Sequence, residues 1–150
     1  MKFKFALLSL AVIAATSASA ATFKWSSASD IPTLDIHSQN NALGNGVHAA
    51  VYESLVYYNS RSFKIEAQLA TDWKLVNPTL MRISLRKGVK FSDGSPFTAD
   101  DAVFSITRAM AKTSNYGVYA QGIDKVNKID DTTIEIALKG PNPVLMNQLT

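Results

Sequence analysis

Apolar and polar residues alternate strictly over residues 81–86, and this spacing predicts a β-strand with one buried and one solvated face. Trp73 and Leu75 repeat the alternation on the preceding segment, so we expect the two segments to share an apolar face as a hairpin. Residues 77–79 are predicted to form the turn, because proline fixes φ and asparagine bonds to its own backbone. The apolar positions predicted to be buried on the second strand are Met81, Ile83 and Leu85.

The same periodicities place further elements along the chain. They predict a first strand over 22–26, a helix over 42–55, and a second hairpin formed by 122–130 and 132–140. In the predicted helix, Val47, Val51 and Leu55 recur every four residues and are expected to face the core. The resulting order of strand, helix, hairpin, helix and hairpin is typical of a mixed α/β (α+β) fold.

Residues 88–109 contain the start signals of a second helix. The Asp-Gly pair at 93–94 predicts a tight turn, because glycine adopts positive φ without steric cost. Thr98 precedes Asp101 by three residues, which is the spacing of a capping box that satisfies backbone N–H groups at a helix start. Asp100 and Asp101 also place negative charge at the positive end of the helix dipole. We therefore predict that Thr98 and Asp101 form a structural helix cap.

The adjacent acids Asp100 and Asp101 have an alternative interpretation as the carboxylates of a secreted hydrolase, with Glu53 as a further candidate. A general acid needs a raised pKa, whereas a helix N-terminus favours the ionised form of a carboxylate. Adjacent side chains on a helix also point about 100° apart, so the two do not face one substrate atom together. The sequence contains neither a Gly-x-Ser-x-Gly nor a His-Glu-x-x-His motif. We favour the cap and predict no catalytic residue.

Residues 1–20 have the three features of a secretory signal peptide. Two lysines supply a positive region, residues 5–15 an apolar core, and residues 18–20 a small-x-small cleavage site. The apolar core is shorter than the roughly 20 residues that a membrane-spanning helix needs. We predict cleavage after Ala20 and a periplasmic location.

Composition narrows the classes of function that fit. The chain has no cysteine, which excludes disulfides, a thiol nucleophile and a cysteine-linked lipid anchor. Its 15 basic and 12 acidic residues give a net charge of +3, and two of the basic residues lie in the predicted signal peptide, which leaves +1. Because no basic stripe remains, the charge pattern gives no support for a nucleic-acid partner.

The only two histidines, His37 and His48, raise the alternative of a metal carrier. They are eleven residues apart, one in a predicted loop and one on a predicted helix. Neither has a second ligand at the spacing that metal sites use. We therefore predict no metal site and no cofactor.

Four sequence blocks resemble one known family. LRKGVKFSDGSPFTADDAVFSITRA, residues 85–109, resembles the signature of the family 5 extracellular solute-binding proteins, which include peptide and nickel binders of ABC importers. TLDIHSQNN, VYESLVYY and AQLATDWKL precede it in the order expected for this family. Ile36 and Ser54 stand where family members usually have proline and glycine, which bears on loop geometry and not on membership.

The resemblance implies a two-lobed periplasmic binding protein fold, type II-like, of which residues 21–150 are the N-terminal part of lobe one. On this interpretation the chain is part of a longer protein. It also implies a monomeric substrate-binding protein of an ABC importer. Such a protein captures peptide-like or other small polar solutes and delivers them to an inner-membrane permease, and a nickel carrier remains the alternative within the family.

The resemblance further implies which residues contact the solute. Gln39 and the three residues that follow it, Asn40, Asn41 and Ala42, would touch the solute from the loop before the first helix. Tyr116, and with it Tyr119, would line the cleft after the capped helix. The family's acidic partner for a peptide amino group is expected beyond the residues of this chain.

Overall fold

Helices and antiparallel hairpins alternate along the part of the chain that the structure describes. This structure is a computed structural model; it describes residues 22, 24, 26 and 30–150, of which residues 31–150 form one unit. The bounds of its elements are Ala42–Val51 (α1), Val56–Asn59 (β1), Lys64–Ala67 (β2), Ala70–Asn77 (β3), Leu80–Leu85 (β4), Ala99–Ala109 (α2), Gly117–Ala120 (α3), Ile123–Asp130 (β5), Thr133–Leu138 (β6) and Leu145–Gln148 (α4). Within residues 30–150, no helix has the length and apolar character needed to cross a bilayer.

The two predicted hairpins are confirmed, and together they form one antiparallel sheet in the order β3-β4-β6-β5. The turn between β3 and β4 forms as predicted, because Oδ1 of Asn77 accepts the backbone N–H of Thr79 at 2.9 Å. Strands β4 and β6 are central, and their alternate residues are buried. Ile83 of β4 lies directly opposite Ile134 of β6, and both side chains are fully buried.

The core lies between this sheet and α2. Ala99, Ala102 and Ile106 of α2 are buried and pack with the apolar face of the sheet, where the helix contacts β5 and β6. Met81, Ile83 and Leu85 are buried, as the alternation predicted, and Ile134, Ile136 and Leu138 of β6 are buried with them. The opposite face of the sheet is polar, and there Arg82 pairs with Glu135 across β4 and β6 at 2.5 Å.

The start of α2 has the predicted capping box. The backbone N–H of Thr98 donates to Oδ2 of Asp101 at 2.8 Å, and the Thr98 hydroxyl donates to the same oxygen at 3.1 Å. Gly94, in the turn before the cap, has φ of 89°, as predicted from the Asp-Gly pair. Asp100 points elsewhere, because its carboxylate accepts from Nζ of Lys128 at 2.7 Å. The two acids therefore hold the helix start in place from different sides.

Helix α1 differs from the prediction in length and in its buried face. The prediction extended it to residue 55, but the helix ends at Val51, because Tyr52 adopts an extended conformation with φ −109° and ψ 149°. The buried residues are Gly44 and His48, whereas Val51 is 60% exposed. The reason is the neighbouring loop: the Tyr52 hydroxyl donates to the Leu34 carbonyl at 2.9 Å, next to the face that carries His48.

Two sequence predictions fall on other parts of the chain. The predicted signal peptide and its cleavage after Ala20 lie outside the described residues. The strand predicted over 22–26 also lies outside them, except for three exposed residues that carry no strand assignment. The predicted loop that follows is confirmed from residue 30 to residue 41, where no helix or strand occurs.

Candidate functional site

The loop that precedes α1 is organised by its own polar side chains. Oδ1 of Asp35 accepts the backbone N–H of His37 at 3.1 Å, and the Asp35 carbonyl accepts the N–H and the hydroxyl of Ser38 at 3.2 and 3.0 Å. These bonds form the compact turn 35–38, because an aspartate side chain can bond to the backbone two residues on. The predicted solute-contacting residues follow directly after this turn.

Asn41 connects the loop to the helix. Its Oδ1 accepts the N–H of Gly44 at 2.9 Å, so Asn41 is the N-cap of α1. Its Nδ2 donates to Oε1 of Gln39 at 3.3 Å, which orders the side chain of that residue. Ala42, also predicted to contact the solute, is the first residue of α1 and is exposed.

Asn45 brings the two predicted parts of the site together. Its Nδ2 donates to Oδ1 of Asn40 at 3.1 Å, and its Oδ1 accepts the hydroxyl of Tyr116 at 2.7 Å. Asn40 and Tyr116 therefore belong to one hydrogen-bonded chain of neutral polar groups. Sequence reasoning did not select Asn45, and its position one helical turn after the Asn41 cap was the available signal.

The two predicted tyrosines lie side by side at the start of α3. The ring centroids of Tyr116 and Tyr119 are 5.9 Å apart, and the Tyr116 ring meets the His37 ring edge-on at 6.0 Å. Tyr116 is half-buried, and this burial raises the pKa of its phenol, so the hydroxyl remains protonated and able to donate. Tyr119 is 44% exposed, and its ring is tilted by 46° relative to that of Tyr116.

An arginine from α2 reaches the same loop. Nη1 of Arg108 donates to Oδ1 of Asp35 at 2.6 Å, Nη2 donates to Oδ2 at 2.5 Å, and Nη1 also lies 2.9 Å from Nδ1 of His37. The hydrogen bond from Arg108 lowers the pKa of Asp35 to about 2, with a further contribution from the His37 N–H. Partial burial, and then the charge of Arg108, lower the pKa of His37.

Asn115 fastens the loop from the other side. Its backbone N–H donates to the His37 carbonyl at 2.9 Å, and its side-chain amide donates to the Ser38 carbonyl. Because Tyr116 is the next residue, this contact also fixes the tyrosine relative to the loop. Asp35, Arg108 and Asn115 were not predicted as site residues, although the first two lie within the blocks that carry the family resemblance.

The residues considered for a hydrolase or for a metal carrier make structural contacts. Glu53 pairs with Arg86 at 2.6 Å, and the acids of α2 serve the helix start. Nε2 of His48 lies 3.4 Å from the Thr33 carbonyl, while the His37 ring faces the cationic Arg108. Among the described residues, no group of three or more histidine, cysteine, aspartate or glutamate side chains is placed to hold a metal ion.

Comparison with known proteins agrees with this architecture. Residues 64–150, more than half of the chain, match the family described as "Bacterial extracellular solute-binding proteins, family 5 Middle". The glutathione-binding protein GsiB of Escherichia coli K12 is 30% identical over 125 residues, which cover 81% of this chain and 24% of that protein. The chain thus spans about a quarter of the length of the relatives it matches.

Solved structures show the same fold. The murein tripeptide binding protein MppA of Escherichia coli is 28% identical with a TM-score of 0.69, over 77% of this chain and 26% of that one. MoaA of A. tumefaciens R10, solved with mannopinic acid, is 31% identical with a TM-score of 0.73, over 79% and 25%. NikZ of Campylobacter jejuni, solved with Ni(L-His), has a TM-score of 0.70 over 81% and 24%, and at 24% identity it shows the fold alone.

The predicted fold class is therefore confirmed: the mixed α/β architecture is that of the two-lobed periplasmic solute-binding proteins. The family match, the identity to GsiB and the structural likeness each cover more than half of the chain. The chain belongs to the family 5 bacterial extracellular solute-binding proteins.

Proposed function

We propose that the protein is the substrate-binding component of an ABC importer, and that it captures a peptide-like or other small polar solute in the periplasm for an inner-membrane permease. The names of its relatives support this solute class, since GsiB binds glutathione and MppA binds murein tripeptide. The predicted signal peptide supports the periplasmic location. In this proposal the protein acts as a monomer and performs no catalysis.

The observation that carries the proposal is the chain of hydrogen bonds from Asn40 through Asn45 to Tyr116. It joins the loop before α1 to the segment before α3, which are the two segments expected to contact the solute. Binding sites combine apolar and aromatic surface with a few placed polar groups that fix orientation. Tyr116 and Tyr119 supply aromatic surface here, and Asn40 and Asn41 supply amides.

The charges around these residues favour uncharged parts of a solute. Arg108, the nearby cation, already has both its η nitrogens on Asp35, and His37 favours the neutral form because its pKa is lowered. We infer that this surface contacts amide, hydroxyl or apolar groups of the solute. A second lobe would close over the same surface by a hinge motion, since the solute favours the closed state through its extra contacts.

The experiment is to express the protein from its own gene and identify what it binds. Small molecules that co-purify would be identified by mass spectrometry, and a panel of glutathione, tripeptides and mannopinic acid would be titrated by calorimetry. A deletion strain should lose uptake of the compound that binds. Unchanged uptake across the panel, together with no bound solute, would contradict the proposal.

Matched variants locate the site within the same experiment. Tyr116→Phe removes the hydroxyl that bonds to Asn45 and should weaken binding about fivefold to tenfold, the typical value of one hydrogen bond. Tyr57→Phe, at a tyrosine of β1 that is 51% exposed, is the control and should bind as the parent does. Metal analysis of the same purified protein tests the nickel-carrier alternative. Bound nickel in stoichiometric amount would replace the proposed solute class.

A further inference from the structure

We propose that Arg108 is a positioning residue for solute binding: it fixes the ligand loop, defined as residues 33–41, against α2 and so places Asn40 and Asn41 opposite Tyr116. The inference rests on the proposed function of the ligand loop. The hydrogen bonds of Arg108 described above go to Asp35 and His37, and neither of these is a predicted solute-binding residue. Arg108 therefore acts on the site through these two residues.

The helix that carries Arg108 is held in place by its own contacts. Arg108 lies in the last turn of α2, whose Ala102 and Ile106 are buried against the sheet and whose start is held by the capping box. Its two η nitrogens each bond one oxygen of Asp35, at 2.6 and 2.5 Å. Such a bidentate pair fixes direction as well as distance, because the guanidinium and the carboxylate are both planar.

The loop end of the contact transmits that position to the backbone. The Asp35 carboxylate that receives Arg108 also accepts the N–H of His37, and Nη1 of Arg108 lies 2.9 Å from Nδ1 of the same histidine. The guanidinium therefore contacts two residues of the turn 35–38. Gln39 and Asn40 follow that turn without a break, so their position depends on it.

The opposite side of the turn is held by the segment that carries the tyrosine. Asn115 donates to the carbonyls of His37 and Ser38, one residue before Tyr116. The turn thus lies between a helix end and the start of α3, with Arg108 on one side and Asn115 on the other. Without the guanidinium, the loop would have to be ordered when the solute binds, and that ordering lowers affinity.

A purely structural ion pair is the competing explanation, and the chain contains a matched control for it. Arg82 and Glu135 form an arginine–carboxylate pair with distances of 2.8 and 2.5 Å on the polar face of the sheet. The arginine side chain is 41% exposed in that pair and 41% exposed in the pair with Asp35. Arg82→Gln therefore removes a similar interaction from a place that does not contact the ligand loop.

The test measures hydrogen exchange of single amides without any solute, in the parent and in Arg108→Gln, Arg108→Lys and Arg82→Gln. We expect Arg108→Gln to raise exchange at His37, Ser38 and Asn115 about tenfold, the size of coupling found between contacting residues. The exchange rates of the Ile83 and Ile134 amides should stay as they are in the parent. Exchange at the loop amides in Arg108→Lys should lie between that of the parent and that of Arg108→Gln. The reason is that an ammonium is a single point charge and cannot bond both carboxylate oxygens in the same geometry.

The Arg82→Gln variant should leave exchange in the ligand loop unchanged. Equal exchange in Arg108→Gln and Arg82→Gln at the loop amides would overturn the proposal. A rise spread evenly over loop and strands would overturn it as well, because it would report lost global stability.

Calorimetric titration with reduced glutathione and with mannopinic acid forms the second arm. For whichever of the two binds the parent, Arg108→Gln should bind about tenfold more weakly and Arg82→Gln equally well. Equal affinity of Arg108→Gln and the parent would overturn the positioning role. If neither compound binds the parent, that result counts against the proposed solute class, and loop exchange alone then decides the role of Arg108.

Discussion

The hydroxyl of Tyr116 donates a hydrogen bond to Oδ1 of Asn45 at 2.7 Å, although 71 positions separate the two residues. The loop before α1 and the segment before α3 also meet where Asn115 donates to two carbonyls of the loop, and where the rings of His37 and Tyr116 pack edge-on. Asn45 also donates to Asn40, so one amide side chain orders groups on both sides. The relative position of the predicted solute contacts therefore depends on Asn45, which is not itself one of the predicted solute-binding residues.

This relationship can be measured by a double-mutant cycle. We expect Asn45→Ala and Tyr116→Phe to be non-additive, with a coupling of about 1 kcal/mol in the free energy of unfolding, because each removes one partner of the same hydrogen bond. Denaturant unfolding of the parent, both single variants and the double variant gives the value. Additive effects would mean that the bond contributes nothing measurable.

The helix cap predicts different outcomes for two adjacent acids. Asp101→Ala should lower the free energy of unfolding by about 1 kcal/mol, because the Thr98 N–H loses its acceptor at the start of α2. Asp100→Ala is the control and should cost less, since Asp100 is exposed and bonds only to Lys128 among the contacts described. Solute binding should be the same in both variants. Loss of a catalytic turnover in either one would instead support the hydrolase interpretation.

The sheet core predicts a contrast between two isoleucines. Ile134→Val should lower the free energy of unfolding by about 1 kcal/mol, because a buried methyl group is removed opposite Ile83. Ile129→Val, at a position on β5 that is 52% exposed, should change it by less than about 0.5 kcal/mol. Chemical denaturation at one temperature compares the two. Similar costs would contradict the assigned faces of the sheet.

Two glycines should respond to alanine with opposite signs. Gly94→Ala should destabilise by about 1 kcal/mol, because its φ of 89° is strained for any residue with a Cβ. Gly46→Ala should stabilise by about 0.5–1 kcal/mol, since the position is helical and a Cβ there would meet nothing within 4 Å. Thermal unfolding of both variants checks the signs. Stabilisation by Gly94→Ala would contradict the turn geometry.

His37 predicts a pH-dependent difference between the parent and His37→Gln. The folded-state pKa of His37 lies below the ordinary 6.5, first because of burial and then because of Arg108. The unfolded chain therefore takes up this proton first as pH falls, and the parent loses stability below about pH 6.5 relative to the variant.

The measurement is the difference in melting temperature between the two proteins from about pH 8 to about pH 5. Glutamine keeps an acceptor for Arg108 without a titration of its own, and the two proteins differ at no other position. Asp35 stays ionised throughout, because its pKa is held at about 2. A difference that does not change with pH would show that His37 feels no such penalty.

The spacing of residues in the sequence predicted the features that depend only on neighbouring residues, such as the buried face of a strand and a helix cap. The alternation over residues 81–86 gave the correct buried face because strand side chains repeat every two residues. The Thr98–Asp101 cap followed from a spacing of three. The hairpin of β1 and β2 was not predicted: its strands have four residues each with mostly exposed positions, and its Phe63 has φ of 56° where a glycine or an asparagine would have signalled a turn.

Local spacing patterns did not predict the contacts between segments that are distant in the sequence. The apolar positions of α1 suggested Val51 as buried, but the loop that carries Thr33 and Leu34 covers the His48 side of the helix instead. The same holds for Arg108 and Asp35, whose pairing no spacing rule indicates. The candidate solute-binding residues came from the family resemblance, and the polar groups that hold them together came from the structure.

The 73 positions between Asp35 and Arg108 also bear on the order of folding. Bringing such distant residues together costs chain entropy, which other contacts must offset first. Helix α2 packs against β5 and β6, both of which follow it in the chain. We therefore expect its arginine to be fixed in place only after the second hairpin has formed. We expect the ligand loop to remain unstructured on a growing or refolding polypeptide until that point, which would make the proposed solute-binding surface a late product of folding although its residues are synthesised early.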